Sequence, residues 1–101
     1  MTITIGKYNF EGPLLTKETL PEKSGVYSVL GRNSMAERWS VVDLGDSQNI
    51  RECIGHHERA RCWKKQGYVM LGYASYQCDE VQRVEIEQVL RVEFEPPCGE
   101  Q

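Results

Sequence analysis

Residues 39–57 constrain the fold more than any other stretch of the sequence. They begin with the run Trp-Ser-Val-Val-Asp-Leu, which is typical of a short buried strand. Gly45 interrupts this run, Ser47 occupies the position of a helix N-cap, and apolar residues follow at helical spacing. The pattern predicts that a strand delivers Asp43 to a tight turn at Asp46, just before a helix begins. Strand ends and helix starts commonly hold the polar site residues of small domains.

The length and composition predict a single domain outside the membrane. A chain of 101 residues that is 40% hydrophobic is sufficient for one modest core. No apolar run reaches the length of about 18 residues that a membrane span needs. The first residues lack the basic flank and the apolar core of a secretion signal, so we expect a cytoplasmic protein. In the cytosol its four cysteines should be reduced: Cys53, Cys62, Cys78 and Cys98.

The remaining strand patterns predict a small α+β fold. Residues 26–30 and 39–44 are rich in strand-forming residues and close in sequence, so an antiparallel hairpin is expected. Residues 68–77 supply a third strand. The sequence therefore predicts a three-stranded, mostly antiparallel sheet with flanking helices. An extra N-terminal strand is expected at residues 2–8, followed by a turn at residues 10–13.

The clearest helix covers residues 81–94. Asp79 is its expected N-cap, and residues 98–101 form a tail after it. Ile86 and Val92 fit the buried stripe of this helix less well than other apolar residues. The expected stripe consists of Val81, Val84, Val89 and Leu90.

The charge is distributed unevenly along a chain whose net charge is −3. Residues 51–65 contain five basic and two acidic residues, whereas residues 79–101 contain two basic and seven acidic residues. This asymmetry is compatible with a local patch that faces phosphate on an otherwise acidic protein. This asymmetry is equally typical of two solvated helix faces that carry opposite net charge.

The order of several short motifs resembles the GIY-YIG nuclease family. The sequence Gly-Val-Tyr at residues 25–27 matches the first motif, with Val in place of Ile. Asp-Leu-Gly at residues 43–45 ends the next strand and shares the last glycine of the second motif. His57 falls where the family has Tyr or His, and Glu87, nine residues before Pro96, falls on the position of the metal-binding glutamate. The resemblance extends from about residue 25 to the end of the chain.

This resemblance implies a DNA endonuclease that hydrolyses phosphodiesters with one Mg²⁺ or Mn²⁺ ion. Glu87 would be the metal ligand, Tyr27 the hydroxyl on the base side of the reaction, and His57 a second proton-transfer or hydrogen-bonding group. Mg²⁺ prefers hard oxygen ligands and keeps several waters, and it can activate a nucleophile and offset phosphate charge. Residues 25–101 would form the nuclease-like unit, with residues 1–24 as an N-terminal strand and lead-in.

Several positions depart from the family pattern. Asp43 replaces the tyrosine of the second motif, Asp46 takes the lysine-like position, and Cys53 takes the position of the helix arginine. Gly99 stands where an asparagine is expected. Arg51 lies two residues before the arginine position, about 200° around the helix, so it does not substitute directly. The site thus loses positive charge and gains two carboxylates, which raises the cost of binding phosphate unless a metal neutralises them.

Two interpretations follow from these departures. In the first, Asp43 and Glu87 together hold the cation. The phosphate would then be approached by one of three arginines: Arg51, Arg59 or Arg61. In the second, the degenerate scaffold is retained without catalysis, as a module that binds nucleic acid or a protein. The sequence favours the second slightly, because three changes at functional positions act in the same unfavourable direction.

The cysteines and histidines allow other chemistry. Four residues of types that bind zinc lie within ten positions: Cys53, His56, His57 and Cys62. Their spacing lacks a paired Cys-x-x-Cys, so buried reduced thiols are the favoured alternative. A thiol nucleophile at Cys53 or Cys62 beside His57 would lack an orienting partner.

Trp63 lies in a short helix predicted at residues 58–65. It has basic neighbours at Arg59, Arg61 and Lys64, and aromatic side chains in such surroundings can stack on nucleic-acid bases. Inward packing of Trp63 is the favoured alternative.

The resemblance leads to one geometric expectation. Tyr27, Asp43, His57 and Glu87 should converge in one shallow acidic cleft. The partners that such a cleft would serve are DNA, a protein or a second copy of the chain.

Overall fold

A five-stranded antiparallel sheet forms the centre of the molecule in the computed structural model, which describes residues 1–99. Its strands are β1 (Thr2–Ile5), β2 (Tyr8–Leu14), β3 (Gly25–Arg32), β4 (Ser40–Ser47) and β5 (Met70–Gln77). Their order across the sheet is β1-β2-β5-β3-β4. The last two residues of the predicted tail, Glu100 and Gln101, lie outside the described residues.

Strand β3 is the best-buried strand of the sheet. It pairs with β4 on one side and β5 on the other, and the predicted antiparallel hairpin of β3 and β4 is confirmed. The register places Tyr27 opposite Gly45. Because side chains alternate along a strand, Tyr27 and Val29 enter one core whereas Val26 enters the core on the opposite face.

The expectation of three strands plus one was wrong in number, since β1 and β2 form a hairpin that extends the sheet to five strands. Gly6 makes the turn between them with a positive φ of 63°. Residues 10–13 lie within β2 and do not form a turn, because Phe10 is fully buried and packs against Tyr76. Pro13 is tolerated there because the register with β5 shifts between Glu11 and Leu14.

Two short helices and one long helix cover the sheet. Helix α1 (Ile50–Gly55) is capped by Asn49 and not by Ser47, because the Asn49 side chain accepts the backbone N–H of Glu52 at 3.1 Å. Helix α2 (Ala60–Lys65) begins two residues later than predicted. Helix α3 (Glu80–Phe94) has the predicted cap, with Asp79 accepting the backbone N–H of Gln82 at 2.9 Å.

The predicted buried stripe of α3 was mostly wrong. Leu90 is buried as expected, but the second buried residue is Ile86. The three valines of the predicted stripe are exposed: Val81, Val84 and Val89. Periodicity alone does not separate the two faces, because each presents apolar residues at helical spacing. Packing against the sheet selects the face that also carries Glu87 and Arg91.

A disulfide joins α2 to the segment after α3. Cys62 and Cys98 are bonded, and Cys53 and Cys78 are free thiols. The expectation of four reduced cysteines was therefore wrong for one pair. The spacing gave no indication of this pairing, because the two sulfurs are 36 residues apart in the sequence. Within residues 1–99, no helix has the length and apolar character needed to cross a membrane.

Candidate active site

A buried carboxylate, Asp43 of β4, lies at the base of the site. Its side chain is fully buried, and both oxygens accept several hydrogen bonds. The Oδ1 atom accepts from the backbone N–H of Leu44 at 2.7 Å, from Arg91 Nη2 at 3.1 Å and from Arg59 Nη2 at 3.2 Å. The Oδ2 atom accepts from Trp63 Nε1 at 2.7 Å and from Arg59 Nε at 2.9 Å. This number of donors offsets the cost of removing the charge from water.

Asp43 therefore connects three elements of the fold. Arg59 immediately precedes α2, Trp63 lies within α2, and Arg91 comes from α3, which is distant in sequence. Arg91 also donates to the backbone carbonyl of Leu44 next to Asp43. The predicted role of Asp43 as a cleft residue and metal ligand is not favoured by this geometry, because a cation would have to displace donors from a carboxylate with no exposed surface. Its observed role is to hold two guanidinium groups in place.

Tyr27 and His57 form a hydrogen-bonded pair above Asp43. Tyr27 Oη lies 2.5 Å from His57 Nε2, and Arg59 Nη2 lies 3.4 Å from the same phenolic oxygen. The backbone N–H of Arg59 donates to His57 Nδ1 at 3.0 Å. Because Nδ1 is an acceptor, the proton of the neutral ring is assigned to Nε2, which donates to Tyr27. The phenolic oxygen of Tyr27 thus accepts hydrogen bonds from His57 and Arg59, so the phenolic proton is not directed at either of these groups.

Burial keeps both members of this pair uncharged at neutral pH. Burial raises the pKa of the Tyr27 phenol, and the neighbouring Cys53 thiol raises it further, although Arg59 acts in the opposite direction. Burial also lowers the pKa of His57 below 6.5, and the positive charge of Arg59 lowers it further. The site therefore presents a neutral imidazole and a protonated phenol.

An open cleft of about 720 Å³ lies over this pair. Tyr27, His57 and Glu87 line it together, so three of the four residues expected to converge do so, whereas Asp43 lies beneath. Glu87 Oε2 accepts from Arg91 Nε at 2.5 Å, and both side chains are 18% exposed. Two guanidinium groups, Arg59 and Arg91, line the cleft beside four carboxylates, so the cleft keeps the acidic character that was expected. The carboxylates are Asp46, Glu52, Glu58 and Glu87.

Sequence reasoning missed Arg91 as a site residue. Its only signal was the spacing of four residues from Glu87, which places the two side chains on one face of a helix. Cys53, which holds the position of the family arginine, is half-buried and lines the cleft as well.

The other predicted binding residues are dispersed. Arg51 bonds to Glu22 at 2.7 Å and lines a separate cavity. Arg61 and Lys64 are exposed on α2. Trp63 is only 1% exposed, so the packing alternative is confirmed and Trp63 offers no surface on which a base could stack.

The remaining polar candidates have structural contacts. Asp46 lines the cleft and pairs with Arg83 at 3.3 Å. The zinc alternative loses Cys62 to the disulfide. Among residues 1–99, no three His, Cys, Asp or Glu side chains are arranged so that they could hold a metal ion together.

Comparison with protein-family models, curated proteins and solved structures finds no match to this chain. Its function must therefore be inferred from the site itself.

Gly45 provides the space that Tyr27 occupies, and its substitution tests this dependence. A Cβ at position 45 would overlap Tyr27 Oη and Cζ and stand 2.8 Å from Cε2. We expect Gly45→Ala to displace the phenol from His57 and to destabilise the fold by about 1–3 kcal/mol, measured by urea unfolding. The matched control is Gly55→Ala, because a Cβ at Gly55 meets nothing within 4 Å. Equal stability of the two variants would contradict the close packing of Tyr27 on Gly45.

The imidazole of His57 should titrate below its ordinary pKa of 6.5 in the folded protein. The unfolded chain then binds this proton at higher pH than the folded one. His57 therefore contributes to the free energy of unfolding. This contribution is fully present above pH 6.5 and is lost as the pH falls through the pKa of His57 in the folded protein. An NMR titration measures the midpoint, with His56→Gln to assign the two imidazoles. We expect Arg59→Gln to move the midpoint upward, and a wild-type midpoint at or above 6.5 would disprove the burial argument.

Proposed function

We propose that this chain is a divalent-metal-dependent phosphodiester hydrolase of the GIY-YIG kind that acts on DNA. The observation that supports this most is the convergence of the Tyr27–His57 pair, Glu87 and two guanidinium groups on one open cleft. A phosphodiester needs cations, a proton donor and space, and the cleft offers all three.

Two arginines compensate for the family arginine that is replaced by Cys53. Arg59 and Arg91 line the cleft, and each is held in place by Asp43. The carboxylate of Asp43 is buried beneath them and is not directed at a bound phosphate. These two arginines restore part of the positive charge that the sequence suggested was lost, and this favours an active enzyme over an inactive relative. Three further carboxylates in the lining, Asp46, Glu52 and Glu58, act in the opposite direction unless a metal ion neutralises them.

Glu87 is the residue that would hold the cation. It is a hard carboxylate ligand at the cleft wall, and one carboxylate with several waters suits Mg²⁺ or Mn²⁺. Such an ion, when bound, would activate water and neutralise phosphate charge. Arg91, which is paired with Glu87, would fix the orientation of the Glu87 carboxylate.

In this proposal Tyr27 acts as a proton donor and not, as the resemblance implied, on the base side of the reaction. Its phenol stays protonated because burial raises its pKa, and its oxygen already accepts from His57 and Arg59. These two donors would stabilise the negative charge that develops on the oxygen as the proton leaves. His57 stays neutral and orients the phenol, because its Nδ1 is engaged by the backbone of Arg59.

The second candidate function is a non-catalytic binding module on the same scaffold. The specific observation in its favour is the short Glu87–Arg91 pair, in which a guanidinium group and not a metal ion neutralises Glu87. Binding of nucleic acid by such a module would weaken steeply with salt and depend on Arg59, Arg61 and Lys64. Binding that does not respond to salt would indicate a protein partner.

Glu87→Gln tests the enzymatic proposal directly. The substitution keeps the size of the side chain and removes the charge that would hold the cation. We expect Mg²⁺- or Mn²⁺-dependent nicking of supercoiled plasmid to fall to background, and Tyr27→Phe to lower the rate by about 10²-fold or more.

The matched control is Glu85→Gln, since Glu85 is exposed on the same helix. It should cleave as the wild type does. Cleavage that survives Glu87→Gln would refute the metal assignment. A folded wild type that binds DNA without cutting it would support the binding module instead.

A further inference from the structure

We propose that the Cys62–Cys98 disulfide is a redox latch that holds α2 in the position where Arg59 and Trp63 reach Asp43. Opening of this disulfide by a dithiol would release α2 and disturb the cleft. The functional meaning of the latch rests on the proposed function, because the cleft is the site assigned to hydrolysis. Its structural effect does not depend on that assignment.

Besides the disulfide, helix α2 is attached through the packing of Trp63 in the core, with Ala60 and Cys62 at the edge of that cluster. It contains six residues, has no side-chain cap at its start, and buries Trp63 as its only fully buried residue. Short helices are marginal on their own, so tertiary contacts must hold them. The contacts that do so at the base of the site are the hydrogen bonds from Trp63 and Arg59 to Asp43. The disulfide at Cys62 is the covalent attachment of the same helix.

The partner cysteine is fixed to the sheet. Cys98 is fully buried, and its backbone N–H donates to the carbonyl of Val42 at 3.0 Å. Val42 precedes Asp43 on β4, so the disulfide ties α2 to the strand that carries the central carboxylate. Gln66 Nε2 lies 3.6 Å from each sulfur and 3.2 Å from the carbonyl of Cys62, which places the end of α2 against the bond.

The latch is accessible from one side. A cavity of about 600 Å³ is lined by Cys62 together with Arg59, Arg91 and Pro96. The two arginines line the main cleft as well, so the disulfide lies behind the wall that carries the cationic groups. Cys62 is half-buried and lines this cavity whereas Cys98 is buried, so Cys62 is the more accessible residue of the pair.

The exchange reaction is balanced by one dithiol. A thiolate of the dithiol attacks Cys62 Sγ, the S–S bond breaks, and Cys98 leaves as a thiolate that takes a proton. The second thiol of the dithiol then attacks the mixed disulfide, releases Cys62 as a thiol and leaves the reagent as its own disulfide. Two electrons and two protons pass to the protein. Because a dithiol opens the bond and an oxidant closes it, the state of the bond would report the redox conditions around the protein.

The experiment compares oxidised wild type, wild type reduced with dithiothreitol, and the Cys62→Ser/Cys98→Ser variant. A thiol count on the denatured chain should give two free thiols before reduction and four after, since the chain has four cysteines and two of them are free. The structural readout is hydrogen exchange of the Trp63 indole N–H by NMR. Trp39→Phe assigns this signal, because the chain has only two tryptophans.

We expect reduction and the double variant to speed exchange of the Trp63 indole N–H by about tenfold or more, while amides of β3 stay protected. Plasmid nicking should fall in the same two samples. The control Cys78→Ser removes a thiol outside both cavities and should match the oxidised wild type in every readout.

The outcomes separate this proposal from the proposed function. Unchanged indole exchange after reduction, four thiols before reduction, or equal loss of protection in β3 and at Trp63 would each overturn the latch. Faster indole exchange in a protein that never cleaves DNA would support the latch and count against the nuclease.

Discussion

The structure depends on how one buried carboxylate is satisfied. Asp43 is removed from water on β4, the edge strand beside β3, and an uncompensated charge there would cost several kcal/mol. The fold meets this cost with donors from two helices and from the strand itself. Because these donors come from residues 59, 63 and 91, the carboxylate fixes where α2 and α3 stand relative to β4. The cleft is the space between these three elements, α2, α3 and β4.

The same interaction determines the electrostatics of the cleft. Arg59 and Arg91 each pair with Asp43 below the cleft and also line the cleft. Their guanidinium groups are therefore held in a fixed orientation, and their charge is only partly neutralised. Arg59 lowers the pKa of His57 and donates to the phenol of Tyr27. A change at Asp43 therefore reaches the Tyr27–His57 pair, both through Arg59 and through the charge of Asp43 itself, although Asp43 does not line the cleft.

Local patterns were sufficient to predict part of this arrangement. Strand propensity and short separation gave the β3–β4 hairpin, and the Asp79 cap gave the start of α3. The resemblance to the nuclease family predicted that Tyr27, His57 and Glu87 share one cleft, and they line it together. These features depend on neighbours in sequence or on the order of motifs.

The rest depended on tertiary contacts that local patterns do not contain. The valines of α3 repeat as regularly as Ile86 and Leu90, so only packing on the sheet decides which face is buried. Asp43 was predicted to be a cleft residue because its strand position could be inferred, whereas its side-chain donors, 16 to 48 residues away in the sequence, could not. The pairing of Cys62 with Cys98 and the extension of the sheet by β1 and β2 are likewise set by distant chain segments.

The most direct test of the central role of Asp43 is the free energy of unfolding of Asp43→Asn. An amide at this position has one acceptor oxygen, so in either orientation its NH₂ group would face at least two donors. We predict a loss of about 3 kcal/mol or more, together with a change in the His57 pKa. The matched control, Asp46→Asn, breaks one ion pair of a partly exposed carboxylate and should cost about 1 kcal/mol or less. Equal and small losses for both variants would contradict the account.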